Sequence, residues 1–261
     1  MAETIKPIVI NEEEIISALE STEEDAFRVR EVLAKAAEMK GLDAKETTVL
    51  MSVESPELLE ELFQTARRVK DEIYGKRLVL FAPLYVSNLC SNDCTYCAFR
   101  RGNPDVHRKA LNQEEVAQET HLLIDQGHKR VLLVAGEAYP KQGLQYIFDC
   151  IETIYNVKSE WGEIRRVNVN IAPLEVDEFR ALKACKIGTY QLFQETYHRD
   201  TYSKVHVSGK KRDFDWRLNA ISRAMEADID DVGIGVLFGL YDWRFETLAL
   251  MQHVAQLEQQ F

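Results

Sequence analysis

Three cysteines lie close together in one short stretch of the chain. Cys90, Cys94 and Cys97 have the spacing C-x3-C-x2-C, and serine, asparagine and aspartate residues surround them. These polar residues favour a loop, and a loop can bring three thiolates around one centre. Three thiols are one fewer than the four ligands of a closed zinc site or of a fully ligated iron-sulfur cluster. The spacing therefore predicts a metal centre with one open coordination position.

Two other interpretations of the cluster stay open at this point. A structural zinc site would need a fourth ligand from His107 or Cys150, although zinc ligands usually come as two close pairs. Three unrelated buried thiols would not be surrounded by turn-forming residues. The other two cysteines, Cys150 and Cys185, fall on apolar positions of helical patterns and are expected to be small core residues.

The composition excludes several classes of protein. The 261 residues contain 32 Lys and Arg against 43 Asp and Glu, which gives a formal charge of −11 and argues against a nucleic-acid partner. With 46% hydrophobic residues and no apolar run of ~20 residues, a folded protein without a membrane span is expected. The acidic N-terminus does not resemble a signal peptide, so we expect a cytoplasmic protein whose cysteines bind metal rather than form disulfides.

The elements change in character after Gly75. Residues 12–76 have a helical apolar period, which predicts an N-terminal helical region over 1–76. From residue 77 onward, apolar runs alternate five times with helical patterns, which predicts parallel strands with helices outside them. The runs span 77–87, 130–135, 165–172, 189–194 and 231–239. Because a closed barrel of this type takes ~250 residues, 77–261 is expected to form a partial (β/α) barrel, and the alternative is that the chain is a fragment.

Polar residues at the ends of these runs are candidates for a binding site. Glu137 and Glu195 each end a predicted strand, so their carboxylates are expected at the mouth of the barrel. Asn168 and Asn170 alternate with apolar residues and share one side of their strand, facing either the lumen or an edge. Arg217 is a further candidate, with an ordinary helix-surface arginine as the alternative. The run 210–212 is interpreted as a solvated basic turn.

These motifs resemble the radical S-adenosylmethionine (SAM) superfamily. The cysteine spacing, with Tyr96 before the last cysteine and a strand before the loop, carries this resemblance. The stretches 135–137, 166–172, 188–198 and 231–240 resemble the tyrosine lyases of that superfamily, the group of the hydrogenase maturase HydG and the thiamine enzyme ThiH. The similarity runs from about residue 54 to residue 261. The amino-acid sequences of 165–172 and 230–240 favour the HydG type.

The resemblance implies cofactors, a reaction and partners. The three cysteines would hold a 4Fe-4S cluster, whose open iron binds SAM and whose electron cleaves it to a 5'-deoxyadenosyl radical. That radical would abstract hydrogen from tyrosine, and the Cα–Cβ bond would break to give p-cresol and dehydroglycine. The implied partners are a small-molecule substrate, tyrosine, and an electron donor such as ferredoxin or flavodoxin.

The resemblance also implies roles for single residues. Gly136 and Glu137 would receive the amino group of SAM, Glu195 its ribose hydroxyls or amino group, and Arg217 its carboxylate. Further pocket positions near adenine are Tyr96, Gly233 and Gly235. A second cluster motif and the substrate-gripping serine and arginine are expected beyond residue 261. The alternatives left open are a ThiH-like 2-iminoacetate synthase and a truncated module that binds cluster and SAM without full activity.

Overall fold

The computed structural model describes residues 6–261 and divides into two compact units. One unit is Leu80–Leu237, to which residues 6–8 and Phe261 also belong. The other comprises Val9–Val79 and Phe238–Gln260 and is helical. The chain therefore changes from helices to an α/β arrangement within a few residues of the boundary that the sequence pattern predicts at residue 76.

The helical unit begins with four helices. They are α1 (Glu12–Ser21), α2 (Ala26–Ala36), α3 (Ala44–Met51) and α4 (Pro56–Tyr74). Asp43 forms a capping box with Glu46 at the start of α3, and Pro56 occupies the first turn of α4, where its missing N–H costs nothing. Gly75 ends α4 with φ of 61°, a conformation that glycine adopts readily. Val29, Leu33, Val53 and Leu58 form the buried core between these helices.

Within residues 6–261, five parallel strands form one sheet in the order β1-β2-β5-β6-β7. The strands in chain order are β1 (Ala82–Ser87), β2 (Arg130–Ala135), β3 (Lys158–Ser159), β4 (Gly162–Glu163), β5 (Arg166–Asn170), β6 (Tyr190–Glu195) and β7 (Val232–Val236). The short β3 and β4 pair separately as an antiparallel ladder. Apart from this ladder, each sheet strand neighbours the next one along the chain, as the five βα repeats predict, and the α/β fold class is confirmed.

Six helices connect and cover these strands in the described residues. They are α5 (Gln113–Asp125), α6 (Gln145–Asn156), α7 (Val176–Ala184), α8 (Arg199–Val205), α9 (Phe214–Leu218) and α10 (Ala220–Glu226). On β5, Val167 and Val169 are fully buried, and so are Ile147 and Ile154 of α6, which packs against that strand. Full burial of each such side chain stabilises the fold by roughly 1.5–3 kcal/mol.

The first strand is shorter than the sequence predicts. The run 77–87 was expected to form it, but β1 begins at Ala82, and Leu78, Val79, Leu80 and Phe81 are 50–84% exposed. The reason is the register of the sheet: Ala82 pairs with Val131, the second residue of β2. Residues 77–80 therefore lie beyond Arg130, the first residue of β2, and their apolar side chains have no neighbouring strand to pack on.

The C-terminal helix α11 (Trp243–Gln260) groups with the helical unit rather than with the predicted barrel region 77–261. It packs against α1 and α3, which explains this grouping, and it buries Leu248, Ala249 and Leu257. The side chains of Gln252 and Gln256 also accept hydrogen bonds from the backbone N–H groups of Asn11 and Val9. Among the helices of residues 6–261, none has the length and apolar character that crossing a membrane requires.

Candidate functional site

The cysteine loop directly follows β1, at the carboxyl edge of the sheet. Cys94 is 4% exposed, and Cys90 and Cys97 are half-buried. Tight turns form the loop, because the N–H of Cys97 donates to the carbonyl of Cys94 and the N–H of Arg100 donates to the carbonyl of Cys97. Across residues 6–261, no three His, Cys, Asp or Glu side chains converge as metal ligands do, so the cysteine ligand set stays a prediction.

Gly136 forms one wall behind the loop. A Cβ atom at this position would lie 2.2 Å from the carbonyl oxygen of Leu89, so only glycine lets the end of β2 come this close. The N–H of Gly136 donates to the carbonyl of Ser87, and the N–H of Ala138 donates to that of Leu89. The structure thus gives Gly136 a role in seating the cysteine loop, whereas its predicted contact with SAM remains a prediction.

A second wall is the strap, which we define as residues 205–211. The N–H of Thr95 donates to the carbonyl of Val205, and Asp93 exchanges backbone hydrogen bonds with Val207 and Ser208 at 3.0 Å each. Gly209, with φ of 91°, lies so close that a Cβ there would be 2.2 Å from Oδ1 of Asn92. The strap therefore runs alongside the cysteine loop like an added strand and fixes its path.

Arg108 bonds to backbone carbonyls on both sides of the three cysteines, a role that no sequence pattern indicated. One guanidinium nitrogen donates to the carbonyls of Asn88 and Phe99 at 2.9 and 2.8 Å, and another donates to those of Arg100 and Asn103. Five fixed donors make arginine suited to collecting several carbonyls of an irregular segment. In the sequence, Arg108 stands out only as a charged residue shortly after the cysteine motif, and that position does not identify the carbonyls it binds.

Glu137 and Arg217 form a buried ion pair beside the loop. Nη1 of Arg217 lies 2.8 Å from Oε1 of Glu137, and the side chains are 4% and 15% exposed. Asn92 donates to the other Glu137 oxygen at 2.7 Å, and Nε of Arg217 donates to the carbonyl of Phe193. Burial by itself raises the pKa of Glu137, but Arg217, Lys211 and Asn92 outweigh it, so that pKa lies below its usual range.

Glu195 and Lys211 form a second ion pair, which corrects the interpretation of 210–212 as a solvated turn. Nζ of Lys211 lies 2.6 Å from Oε1 of Glu195, and the side chains are 10% and 14% exposed. Nη2 of Arg217 lies 3.8 Å from the same carboxylate oxygen, which joins the two pairs into one network. Glu195 follows an irregularity in the β6–β7 register and has φ of 74°, a strained conformation typical of functional sites.

Tyr96 is anchored to the strap by a histidine. The Tyr96 hydroxyl lies 2.8 Å from Nε2 of His206, and Nδ1 of His206 lies 2.9 Å from the carbonyl of Tyr202. Because that carbonyl can only accept, Nδ1 carries the proton and the Tyr96 hydroxyl donates to Nε2. Burial lowers the pKa of His206 to about 4, which keeps the imidazole neutral. This partner of Tyr96 was missed because His206 lies 110 residues away in the chain.

The remaining predicted pocket residues lie on one face of the sheet. Asn168 and Asn170 are half-buried opposite the buried Val167 and Val169, and both already bond to the β6 side: Asn168 accepts from the N–H of Thr189, and Asn170 donates to the carbonyl of Gln191. Of the two helix-pattern cysteines, Cys150 is fully buried as predicted. Cys185 is half-buried at the end of α7 rather than in the core, because it caps the helix.

Gly233 and Gly235 leave room for side chains of the neighbouring strand. A Cβ at Gly233 would lie 3.0 Å from the Gln191 side chain, and one at Gly235 would lie 3.0 Å from the Phe193 ring. Side chains of β6 therefore lie close to both glycines. Their predicted contact with adenine remains a prediction.

The donor set fits the cofactors that the sequence implies. A zwitterionic amino acid group needs an anion for its ammonium and a cation for its carboxylate, and the network offers two carboxylates and two cations of low exposure. Glu137 and Lys211 also act on the Cys94 thiol, whose pKa burial raises to about 11, so thiol and network lie close together. The network thus suits the amino acid end of SAM, beside the loop whose thiols are predicted to hold the cluster.

Comparison with models of known protein families shows to which superfamily the chain belongs. The model of the Radical SAM superfamily matches residues 84–251, well over half of the chain. The chain belongs to the radical SAM superfamily. The resemblance carried by the cysteine spacing is thereby confirmed. So is the cofactor prediction at the level of the family, which uses SAM with a 4Fe-4S cluster, while the residues that hold the two groups stay predictions.

Individual relatives agree with this family. The 2-iminoacetate synthase of Escherichia coli K12 is 34% identical over 244 residues, which are 91% of this chain and 63% of that enzyme. The 3-methylornithine synthase of Methanosarcina barkeri is 32% identical over 71% of this chain and 51% of its own length. The chain thus spans between half and two thirds of these relatives.

Solved structures of the hydrogenase maturase HydG are more similar. A crystal structure of HydG, a maturase of the [FeFe]-hydrogenase, is 49% identical with a TM-score of 0.94 and covers 97% of this chain, which covers 56% of it. HydG from Carboxydothermus hydrogenoformans is 42% identical with a TM-score of 0.82, over 96% of this chain and 59% of its own. The similarity to HydG therefore extends over almost the whole of this chain.

Proposed function

We propose that the chain is the SAM-binding part of a tyrosine lyase of the HydG type, acting in hydrogenase cofactor maturation. Its reaction would cleave the Cα–Cβ bond of tyrosine to p-cresol and dehydroglycine, which a HydG-type enzyme converts to CO and cyanide. The observation that supports this most is the buried network of Glu137, Arg217, Glu195 and Lys211 beside three loop cysteines. The 49% identity to HydG favours this type over the ThiH type.

In this proposal the loop thiols of Cys90, Cys94 and Cys97 hold the cluster. Gly136 and the strap fix the position of the loop that carries the three thiols, at the carboxyl edge of the sheet. A 4Fe-4S cluster and SAM, when bound, supply a 5'-deoxyadenosyl radical that abstracts hydrogen from the substrate. A rigid loop matters because radical chemistry requires the reacting groups to be held in one geometry.

The buried network would bind the amino acid end of SAM. Glu137 would accept hydrogen bonds from its ammonium group, and Arg217 would donate to its carboxylate in the planar two-nitrogen geometry that suits such an acceptor. Glu195 would accept from the ribose hydroxyls or the amino group. Because these side chains are at most 15% exposed, water competes weakly with the ligand and each charge interaction is strengthened.

The substrate side of the proposal rests on the sheet face that carries Asn168 and Asn170. Both amides bond to β6, so they shape the pocket rather than swing freely toward a ligand. Tyrosine as the substrate, a ferredoxin or flavodoxin as the electron donor and a reducing cytoplasm as the location belong to the same proposal. The similarity to HydG and to 2-iminoacetate synthase supports tyrosine in particular.

Anaerobic reconstitution of the chain with iron and sulfide tests the proposal. We expect broad visible absorption from about four irons and four sulfides per chain, slow SAM cleavage to 5'-deoxyadenosine under dithionite, and only a little p-cresol beside that deoxyadenosine when tyrosine is added. The variant with Cys90, Cys94 and Cys97 changed to Ala should take up neither iron nor sulfide. The matched control is Cys150→Ala with Cys185→Ala, which removes two other thiols and should reconstitute like the parent.

The outcomes separate the alternatives. Equal iron in the triple variant and in the parent would remove the cysteine assignment, and zinc in place of iron would favour a structural metal site. Deoxyadenosine without p-cresol would leave a SAM-binding module that lacks full activity. A ThiH-like 2-iminoacetate synthase, which the 34% identity to the Escherichia coli enzyme supports, would give p-cresol and dehydroglycine but neither CO nor cyanide.

A further inference from the structure

Two short segments beside the cysteine loop are rich in basic residues, although the chain as a whole is acidic and the exposed Asp105 and Asp213 directly follow these segments. Residues 98–104 and 203–212 contain six lysines and arginines and no aspartate or glutamate, in a chain with 32 basic and 43 acidic residues. These six are Arg100, Arg101, Lys204, Lys210, Lys211 and Arg212. We call the two segments together the basic rim. Such a local reversal of charge is what an electrostatically guided binding surface requires.

The two segments of the rim are held against each other and against the cysteines. The carbonyl of Asn92 accepts from the N–H of Arg101 at 2.7 Å, and Oδ1 of Asn92 accepts from the N–H of Lys211 at 3.0 Å. Asn92 lies two residues before Cys94, and it is 1% exposed. The basic rim therefore has a fixed shape around the loop, rather than two independent mobile stretches.

Four of the six charges are available to a partner. Arg100 pairs with Asp93 and Lys211 pairs with Glu195, so both are used inside the protein. Within residues 6–261, by contrast, no carboxylate lies within ion-pairing distance of Arg101, Lys204, Lys210 or Arg212, and all four residues are exposed. Lys210 keeps its place because its ammonium lies 3.8 Å from the centre of the Trp216 ring.

Small exposed residues lie within or next to the two segments of the rim and beside the thiols. Thr95 and Ala98 are exposed, and each is the immediate neighbour of a cluster cysteine, Cys94 or Cys97. Val207 of the strap is 50% exposed, and its N–H donates to the carbonyl of Asp93. An apolar centre with a charged rim is the usual anatomy of a protein interface, and brief redox encounters use small ones.

We propose that the basic rim is the docking surface for an acidic one-electron carrier protein of the flavodoxin or ferredoxin class. Docking here would bring the carrier over Thr95 and Ala98, the exposed neighbours of Cys94 and Cys97. The reduced carrier would give up one electron and become oxidised. The acceptor would be the 4Fe-4S cluster that the three cysteines are proposed to hold. This inference rests on the proposed function, because only a redox centre at these cysteines needs a donor.

Binding measurements on the cluster-free chain test the docking surface without using enzyme activity. The probes are an oxidised flavodoxin and a ferredoxin, titrated calorimetrically at roughly 0.05 M and roughly 0.5 M salt, where screening differs strongly. The variant carries Arg101→Glu, Lys204→Glu and Arg212→Glu. The matched control carries Lys45→Glu, Arg67→Glu and Lys76→Glu, three exposed residues of the helical unit that make the same change in net charge.

We expect salt-dependent binding of at least one carrier to the parent. The rim variant should raise the dissociation constant by roughly tenfold or more at low salt and lose most of the salt dependence, whereas the control stays close to the parent. Changing the same three residues to Gln should give an intermediate effect. Circular dichroism should show the same melting temperature for all variants, because the changed side chains are exposed.

Three outcomes would overturn the docking surface. They are no binding of either carrier to the parent, equal weakening in the rim variant and the control, and tighter rim-dependent binding of heparin or anionic vesicles than of the carriers. A separate measurement distinguishes these from a failed function. Dithionite-driven SAM cleavage by the reconstituted chain tests the cluster and SAM alone, and the rim variant should keep it while losing carrier-driven cleavage.

Discussion

Nη1 of Arg217 lies 2.8 Å from Oε1 of Glu137, while Nε of the same guanidinium donates to the carbonyl of Phe193 at 2.7 Å. Arg217 thus links the end of β2, through Glu137, to β6. Its third nitrogen, Nη2, lies 3.8 Å from Glu195, beyond good hydrogen-bonding distance. A carboxylate ligand could therefore bind Arg217 at Nη2 without first breaking the pair with Glu137.

Changing Glu137→Gln should weaken SAM binding. The amide keeps the size of the side chain but loses the charge that faces the ligand's ammonium group, and losing a hydrogen bond to a charged group costs about 1.5–3 kcal/mol. The dissociation constant of SAM, measured by calorimetry on the reconstituted chain, should rise roughly ten- to a hundredfold. Glu195→Gln and Arg217→Lys should weaken binding in the same direction.

The control for these substitutions is Glu114→Gln, at an exposed acid in the first turn of α5. It should leave the affinity for SAM unchanged. Unchanged affinity in all three site variants would show that the buried network stabilises the fold without touching SAM.

Changing Gly209→Ala should displace the strap from the cysteine loop. The new Cβ would lie 2.2 Å from Oδ1 of Asn92, and φ of 91° disfavours alanine as well. Gly143→Ala is the matched control, because Gly143 also has positive φ, 62°, but an added Cβ meets nothing within 4 Å. The control should lose about 1 kcal/mol of stability, and the Gly209 variant should lose more and also take up less iron on reconstitution.

The measurements are urea unfolding and iron content per chain. Equal losses of stability in the two variants, with full iron uptake in both, would mean that the contact between Gly209 and Asn92 does not hold the loop.

The strands could be predicted from sequence, whereas the contacts that shape the site could not. Buried parallel strands are continuous apolar runs, so β2, β5 and β6 were placed within a few residues. The strap has no such run, and its partners lie about 110 residues earlier in the chain, as for His206 and Tyr96. Local pattern cannot show such pairs.

The error at Lys211 has the same origin. A run of three basic residues usually indicates a solvated turn, and Arg212 is indeed exposed. The Lys211 side chain is only 10% exposed because it pairs with Glu195, at the end of a strand that only the fold brings beside it. Arg108 was missed for a related reason, since its partners are backbone carbonyls, which every sequence contains.

Changing Tyr96→Phe should reveal the energy of its hydrogen bond with His206. The variant leaves Nε2 of a fully buried imidazole without its donor at 2.8 Å, which costs about 1–3 kcal/mol. His206→Phe and the double variant complete a double-mutant cycle, measured by urea unfolding. We expect a coupling energy of about 0.5–3 kcal/mol, because the two side chains are in direct contact. Additive effects would show that the strap is held by its backbone bonds alone.

Stability should fall on the acid side because of His253 in α11. Burial is the cause that lowers the pKa of this histidine from 6.5 to about 4, so the folded chain binds its proton less readily than the unfolded chain. Its contribution is fully present above pH 6.5 and is lost as the pH falls toward 4, by about 3 kcal/mol at most. Urea unfolding followed by circular dichroism at several pH values between 7 and 4.5 measures this slope.

His253→Gln removes one of the two histidines whose pKa burial lowers to about 4, the other being His206, and should make that slope less steep between pH 6.5 and pH 4.5, whatever its effect on stability at neutral pH. The control is His107→Gln, which removes an exposed histidine and should keep the slope of the parent. Comparing slopes rather than absolute stabilities matters, because replacing a side chain that is 2% exposed also disturbs packing at every pH. A slope as steep in His253→Gln as in the parent would assign the acid sensitivity to other groups, since a glutamine cannot take up the proton that this explanation requires.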